Sequence, residues 1–339
     1  MEKNNFDAIR IVLALIVVFF HISALTQLAN LKFFQLIFDA NFAVMGFFAI
    51  SGFLVTKSYL TSKSLFDYFE KRLRRIYPAY LTSIIICLCI ASYVSTLNLL
   101  DFFSSSYTLK YLFSNISFLN FIQPSIPHVF DNNPIQALNG SLWTIKIEVM
   151  LYFCVPIIIF MFNRFGSLSV TSLIALLSMG WVYFFQYKYN GNLGIEISRQ
   201  FPGQLSYFII GSLFAVNKEI FSKIKWILLA SLIAIIFIKN SQLRLLINPI
   251  AYSSIVIFSS TSFVKSLNFG KFGDISYGIY LYHFPIIQLL YFLNIFQTNI
   301  LLGLGLTFSL TIITSLFSWH VIEKHLLKRS SHYVIANKN

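Results

Sequence analysis

The chain contains ten apolar stretches of roughly 15 to 22 residues, separated by polar connections. A stretch of this length crosses a ~30 Å hydrocarbon core as an α-helix rising ~1.5 Å per residue. The stretches are continuous and do not alternate, which favours helices over barrel strands. We predict an all-α, polytopic transmembrane bundle of about ten helices, with spans at residues 7–26, 38–56, 77–95, 141–162, 168–187, 201–216, 224–238, 245–262, 276–293 and 301–319.

Composition supports a single membrane domain covering residues 1–339. Hydrophobic residues make up 57% of the chain and charged residues 11%, whereas soluble domains carry about 25% charged residues. The first apolar stretch lacks a following small-residue cleavage site, so it is predicted to be a retained helix. No fused soluble domain is predicted. The one long connection, residues 96–140, holds an apolar segment (111–122) that is too short to span and is expected at the interface or re-entering.

The orientation follows from the distribution of basic residues. With a cytoplasmic amino terminus, 18 of the 25 Lys and Arg residues fall in inner segments, 6 in outer segments and Lys146 inside a span. Basic residues accumulate on the cytoplasmic side, so both termini are predicted to be cytoplasmic, with a basic tail at about 321–339. This asymmetry accounts for the net charge of +13, and no nucleic-acid partner is predicted.

The three cysteines, Cys87, Cys89 and Cys154, all lie in predicted spans. Buried cysteines in such positions behave as small polarizable hydrophobes. Their spacing fits neither a disulfide framework nor a metal site, so no metal is predicted.

Ionisable side chains inside spans are costly and therefore mark candidate functional residues. On the first span these are Asp7, Arg10 and His21. Arg10 and His21 are eleven residues apart, which places them about 20° apart around the helix and roughly 16 Å apart along it. A snorkelling anchor is the alternative role for Arg10, and a hydrogen-bonded structural imidazole is the alternative for His21.

The fourth span carries Lys146 and Glu148. Glu148 lies about seven residues into a helix entering from the outer side, roughly 10 Å deep. His21 reaches a similar depth from the other side, so we expect the carboxylate to orient the imidazole. Lys146 points elsewhere on the helix. Pairing with another acid and snorkelling outward are both open for it, and the sequence assigns it no definite role.

The string SYGIYLYHFP places Ser276, Tyr280 and His283 on one helical face. Pro285 just beyond is expected to loosen the helix and free a carbonyl. His283 is the functional candidate, whereas Ser276 and Tyr280 fit helix-to-helix hydrogen bonding equally well.

Three arginines lie together in the predicted cytoplasmic loop YFEKRLRRIYPAYL. Arginines bind phosphates through bidentate hydrogen bonds, so Arg72 and Arg75 are candidate phosphate ligands. Charges that only set membrane orientation explain the cluster equally well.

In combination, these motifs resemble the acyltransferase-3 family of membrane acyltransferases, which includes O-antigen and other polysaccharide O-acetyltransferases. FDAIRIVLALIVVFFH is similar to the family's opening motif of Arg, ten residues and His, here Arg10 and His21. KRLRRIYPAYL supplies an Arg-x-x-Arg pair, and NGSLWTIKIEVMLYF supplies Trp143 and Glu148. SYGIYLYHFPI resembles the late Ser-Tyr-x-x-Tyr-Leu-x-His-x-Pro string. Tyr282 in place of Trp, and Lys146 in place of a small or apolar residue, depart from the pattern.

The resemblance implies transfer of an acyl group, most often acetyl, from cytoplasmic acyl-CoA to a hydroxyl of a lipid-linked or surface glycan. His21 would act as general base or transient acyl carrier, with Glu148 and His283 as the other catalytic residues. Arg10, Arg72 and Arg75 would bind the donor. The supporting residues would be Asp7, Trp143, Ser276 and Tyr280.

This hypothesis needs no tightly bound cofactor, since acetyl-CoA or another acyl-CoA enters as a substrate. It places the protein in the bacterial inner membrane, with the lipid bilayer, the donor and a glycan acceptor as partners. The alternative is a non-enzymatic transporter or flippase for a glycan lipid, with the buried charges lining its path. Oligomeric state does not follow from the sequence.

Overall fold

The computed structural model describes residues 4–189, 191–262 and 273–327, which are helical and contain no strand. The predicted all-α class is confirmed. The helices, in chain order, are α1 (Phe6–Thr26), α2 (Phe33–Ile37), α3 (Ala40–Leu60), α4 (Leu65–Val94), α5 (Leu99–Ser104), α6 (Ser106–Ile116), α7 (Trp143–Phe165), α8 (Ser167–Tyr183), α9 (Asn192–Ser198), α10 (Phe201–Val216), α11 (Lys218–Ser222), α12 (Ile224–Phe237), α13 (Ser241–Ser262), α14 (Ser276–Phe292), α15 (Ile295–Thr298), α16 (Ile300–Phe317) and α17 (Lys324–Leu326).

Seven helical segments among the described residues are long and apolar enough to cross a membrane, which makes this a multi-pass membrane protein. They are Phe6–Thr26, Ala29–Leu60, Leu65–Val94, Gly140–Phe165, Ser167–Lys188, Ser241–Ser262 and Ile300–Leu326. Three further predicted spans form the shorter helices α10, α12 and α14, of 16, 14 and 17 residues. Ten crossings and cytoplasmic termini therefore stay predictions, and residues 328–339 of the predicted tail lie outside the described residues.

The arginine cluster belongs to a helix, so its prediction as a loop is wrong. Helix α4 begins at Leu65, about a turn after α3 ends, and runs unbroken through Arg75 and Pro78 to Val94. Charged residues in its first three turns look like a loop in a hydropathy profile. They nevertheless suit a helix that continues beyond the apolar core, since Arg and Lys are good helix formers.

The described helices group into two compact units. Unit 1 contains Met1–Ile9, Asn41–Glu70 and Ile147–Asn268, and unit 2 contains Arg10–Ala40, Lys71–Lys146 and Phe269–Asn339. The prediction of one domain over residues 1–339 stays a prediction.

In unit 1, α3 and α10 approach at two glycines. A Cβ on Gly52 would overlap the Phe208 carbonyl, and one on Gly211 would overlap the Ala49 carbonyl. Thr56 and Ser212 hydrogen-bond across the same contact at 2.9 Å. Small residues at such crossings let helices pack closely where no hydrophobic effect drives them together.

In unit 2, α14 is the most deeply buried helix segment among those that concern the site. Every residue from Ser276 to Gln288 is buried, and α14 packs against α16. A helix buried on all sides must pair its polar groups within the protein. The polar side chains of α14 are therefore held in fixed positions by hydrogen bonds within the protein.

Pro285 frees a backbone carbonyl in α14, as its position in the sequence predicts. Proline has no N–H for the carbonyl four residues earlier, which is that of Leu281. The Asn139 side-chain amide donates to that carbonyl at 2.8 Å and to the Ser83 hydroxyl at 3.1 Å. The segment before α7 is thereby fixed to α14.

The long connection between α6 and α7 is also tied to α14. Gln288 donates its amide hydrogens to the carbonyls of Ile135 and Ala137 at 2.7 and 2.8 Å. Asn133 donates in return to the Gln288 side-chain oxygen at 2.9 Å. This part of the connection is held to α14 by hydrogen bonds to both backbone and side chain.

Candidate active site

Two histidines from distant parts of the sequence meet in unit 2. His21 Nδ1 lies 2.7 Å from His283 Nε2, and the rings stack with centroids 5.1 Å apart at an interplanar angle of 13°. His283 is fully buried, whereas His21 is half-buried. The Phe284 ring stands edge-on to His21, with centroids 5.3 Å apart. The pair thus presents the His21 ring, and not the His283 ring, to an incoming molecule.

The hydrogen bonds around His283 determine which ring nitrogens carry protons. His283 Nδ1 lies 3.0 Å from the Ile279 carbonyl, and a carbonyl only accepts, so Nδ1 carries the proton. With both rings neutral, His283 Nε2 is then an acceptor and His21 Nδ1 donates to it. His21 Nε2 is left with its lone pair. The arrangement gives His21 the tautomer that a base or a nucleophile requires.

Near the start of α1, two arginines converge on one carboxylate. Arg10 and Arg75 both donate to Asp274 Oδ2. Ser276 donates to the other oxygen, Oδ1, at 2.6 Å. The Asp274 side chain is fully buried, while those of Arg10 and Arg75 are 18% and 14% exposed. Three hydrogen bonds compensate the cost of burying the carboxylate.

Arg75 also joins a second polar chain. Its Nη1 lies 3.8 Å from Glu323 Oε2, and Glu323 Oε1 accepts from Ser318 at 2.8 Å. The Ser318 and Tyr282 hydroxyls are 2.6 Å apart, which gives Tyr282 a partner on the π-helical turn Ser318–Glu323. Trp319 on the same turn lies 5.8 Å from the Arg75 guanidinium. Arg75 is therefore fixed from two sides.

The two contact points show how α1 runs beside α14. Arg10 meets Asp274 and, eleven residues later, His21 meets His283, nine residues further along the second segment. Arg10 and His21 thus share the face of α1 that the spacing predicts. The two segments run in the same direction, with the arginine cluster at one end and the imidazole pair at the other.

Tyr280 and Thr144 connect α14 to the start of α7. Their hydroxyls are 2.8 Å apart, and the Tyr280 ring lies 6.2 Å from that of His283. Tyr280 therefore borders the imidazole pair and has its own hydroxyl partner. This contact favours the helix-to-helix role that the sequence left open for it.

Glu148 lies in unit 1 and is held there by hydroxyl groups. Its Oε1 accepts from Tyr152 at 2.6 Å and from Ser51 at 3.4 Å. The Tyr152 carbonyl, which Pro156 leaves without its helical N–H, accepts from Tyr68 at 2.9 Å. The carboxylate is oriented from both α3 and α7. That Glu148 acts on His21 stays a prediction.

Among the described residues, no group of three or more His, Cys, Asp or Glu side chains could hold a metal ion. Transfer without a resident metal stays a prediction.

Comparison with known proteins determines the family. Residues 3–319 match the family described as "Acyltransferase domain". This chain belongs to the acyltransferase-3 family. It is also similar to a protein of Shigella phage Sf6 named "O-acetyl transferase", with 27% identity over 338 residues and 98% of each chain covered. No solved structure matches the chain.

As an acyltransferase-3 protein, the chain is an enzyme that transfers acyl groups, and the transporter alternative is set aside. The remaining predicted site residues lie as follows. Arg72 is half-buried on α4, three residues before Arg75. Asp7 occupies the first turn of α1 in unit 1, where an acid suits the helix dipole. Trp143 begins α7 and is half-buried.

Lys146, to which the sequence assigned no role, contacts an aromatic ring of the acyltransferase. Its Nζ lies 4.4 Å from the centroid of the Phe121 ring, a cation–π distance. Phe121 is exposed and belongs to the long connection before α7. Lys146 thus faces this connection.

Sequence reasoning missed two acids and an amide of the acyltransferase. Asp274 lies two residues before the SYGIYLYHFP string, and the available signal was an acid three residues after Lys271. Glu323 fell within a predicted basic tail. Asn139 opens the NGSLW segment. The sequence predicted that Pro285 frees a carbonyl, but it did not identify Asn139 as the donor to that carbonyl.

Proposed function

We propose that this enzyme transfers an acetyl group from acetyl-CoA to a hydroxyl of a lipid-linked or surface glycan. Family membership supports acyl transfer, and the name of the phage relative, an O-acetyl transferase, supports acetyl and an oxygen acceptor. The glycan acceptor follows from the resemblance to polysaccharide O-acetyltransferases. The observation that carries the proposal is the tautomer imposed on His21.

His21 Nε2 is the general base in this proposal. It takes the proton of the acceptor hydroxyl while the oxygen attacks the thioester carbonyl carbon. The tetrahedral intermediate collapses as the C–S bond breaks, and the departing CoA sulfur receives the proton from His21. The products are the O-acetyl ester and CoA thiol. His283 keeps the His21 Nδ1 proton in place and disperses the charge that His21 gains.

The donor fits between the arginines and the imidazoles. Arg10 and His21 are separated by roughly 16 Å along α1, a distance that the extended pantetheine arm spans between its diphosphate and its thioester. With the phosphates at Arg10, Arg72 and Arg75, the thioester reaches His21. Guanidinium groups match phosphate oxygens in geometry and charge.

The same proposal sets the enzyme in the bacterial inner membrane with ten crossings and both termini in the cytoplasm. The support is the concentration of 18 of the 25 basic residues in the inner segments. The arginine cluster then faces the compartment that supplies acetyl-CoA. The parallel course of α1 and the Asp274–His283 segment agrees with this topology, in which both run outward.

The experiment compares the wild type with His21→Ala in membranes supplied with acetyl-CoA and surface-glycan extract. We expect wild-type membranes to release CoA thiol and O-acetylate the glycan, detected by mass spectrometry. His21→Ala should be about 10²–10⁴-fold slower at equal membrane abundance. Acetylation at near wild-type rate by His21→Ala would remove His21 from the chemistry, and no thiol release by the wild type would refute the donor.

A further inference from the structure

We propose that Asp274 is a positioning residue for the donor, on the assumption that the proposed function holds. Its carboxylate keeps Arg10 and Arg75 side by side, so that both guanidinium groups meet the phosphates of acyl-CoA together. No donor atom needs to touch Asp274.

Asp274 is more deeply buried than the two arginines that it contacts. The Asp274 side chain is fully buried, while both arginine side chains reach the surface. Ser276 occupies the second carboxylate oxygen at 2.6 Å, which fixes the plane of the carboxylate and hence the direction of Oδ2. Both arginines donate to this one oxygen. An incoming anion thus meets the cations while the carboxylate stays behind them.

The arginines need such an anchor because they come from separate elements. Arg10 is on α1 and Arg75 is on α4, and two like charges at close range repel each other. A shared buried anion offsets that repulsion and removes rotamer freedom that binding would otherwise have to restrict. A guanidinium has five N–H donors in one plane, so the edge that meets a carboxylate differs from the edge that meets a phosphate.

Glu323 is the other acid at the cluster, and its place is different. It lies 3.8 Å from Arg75 and accepts a hydrogen bond from Ser318. It supports Arg75 from the π-helical turn, whereas Asp274 forms ion pairs with both arginines. Asp274 is therefore the residue whose change should affect both donor-binding arginines at once.

The test compares two donors that differ in their phosphates. Wild type and Asp274→Asn, as full-length protein in membranes, are assayed with acetyl-CoA and with S-acetylpantetheine, which has the thioester arm but no phosphate. We expect Asp274→Asn to raise the KM for acetyl-CoA about 10- to 100-fold, since the anchor consists of charge-assisted hydrogen bonds. The kcat should change less, and kcat/KM for S-acetylpantetheine should stay near the wild-type value.

The matched control is Asp67→Asn, which alters a half-buried acid in the first turn of the same helix that carries Arg75. It should leave both donors unaffected. Asp274→Glu should recover part of the acetyl-CoA affinity. If Asp274→Asn does not accumulate, Ser276→Ala serves instead, with a smaller rise in KM that is again confined to acetyl-CoA.

Three results would overturn the inference. Equal loss with both donors would show that Asp274 only maintains the fold. An unchanged or lower KM for acetyl-CoA would show that the carboxylate is idle or competes with the phosphates. Failure of the wild type with both donors would instead refute the proposed function, and the Asp274 proposal with it.

Discussion

The side-chain amide of Asn139 donates a hydrogen bond of 2.8 Å to the carbonyl oxygen of Leu281. That carbonyl has no helical donor because residue 285 is proline. The bond joins the start of the α7 segment to the helix that carries His283. Asn139, which is distant in the sequence, thus supplies the hydrogen-bond donor that Pro285 removes from the helix.

Asn139→Ala should destabilise the protein because it leaves a buried carbonyl without a donor, at a cost of about 1–3 kcal/mol. Pro285→Ala restores an N–H to Leu281, so the same substitution should cost less in that background. Thermal unfolding in detergent of the wild type, both single variants and the double variant measures this coupling. Equal losses in the two backgrounds would contradict it.

His283→Ala should slow acetyl transfer at least about tenfold. The upper bound is the roughly 10⁴-fold loss of kcat that a wrong histidine tautomer causes in a serine protease. His283→Gln should recover much of this, because its side-chain oxygen can accept from His21 Nδ1 where Nε2 does now. His283→Leu has comparable volume and no acceptor, so it serves as the control. The kcat at saturating donor is the measurement, and equal rates in the Gln and Leu variants would refute the orienting role.

Glu148→Gln should lose much activity if its carboxylate supports the imidazolium of His21, since the amide keeps the shape without the charge. Residues that act as one unit are non-additive. The double variant with His21→Ala should then be little worse than His21→Ala alone. Rates are compared at equal protein abundance with long incubations. Multiplicative losses would assign Glu148 a separate task, such as holding the acceptor sugar.

Helix α12 tests the predicted ten crossings most directly. Its 14 residues span only about 21 Å at 1.5 Å per residue, short of a ~30 Å core, so a crossing requires an adjustment such as local thinning of the bilayer or snorkelling of flanking residues. With Cys87, Cys89 and Cys154 replaced, we expect Asn240→Cys to react with an impermeant thiol reagent in intact cells. Ser222→Cys should react only after lysis. Labelling of both in intact cells would exclude this topology.

The sequence predicted the elements well because apolar length is a local property. All ten apolar stretches are helical, and α10 runs from Phe201 to Val216 as predicted. The beginning of α4 was missed because hydropathy cannot distinguish a charged helical turn from a loop. The helix propensity of these charged residues is the signal that favours a helix there, and it is a weaker signal than the hydropathy of a long apolar stretch.

The site was predictable only in part. His21 and His283 were identified separately, each because an imidazole in a span is costly, but a contact across 262 positions leaves no trace in a single sequence. Asp274 was overlooked because it lies outside the apolar stretches, where an acid is unremarkable. Only the fold shows that it is fully buried between two arginines.

The chain of hydrogen bonds that orients His21 ends on the Ile279 carbonyl, a main-chain atom. A side-chain substitution at position 279 changes volume and hydrophobicity but cannot remove that acceptor. The tautomer of His21, the proposed base, is consequently protected against point mutation at the Ile279 end of the chain, whereas each of the two imidazoles can be lost by a single substitution. Reversing the tautomer of His21 would require a change in the main chain of the helix itself.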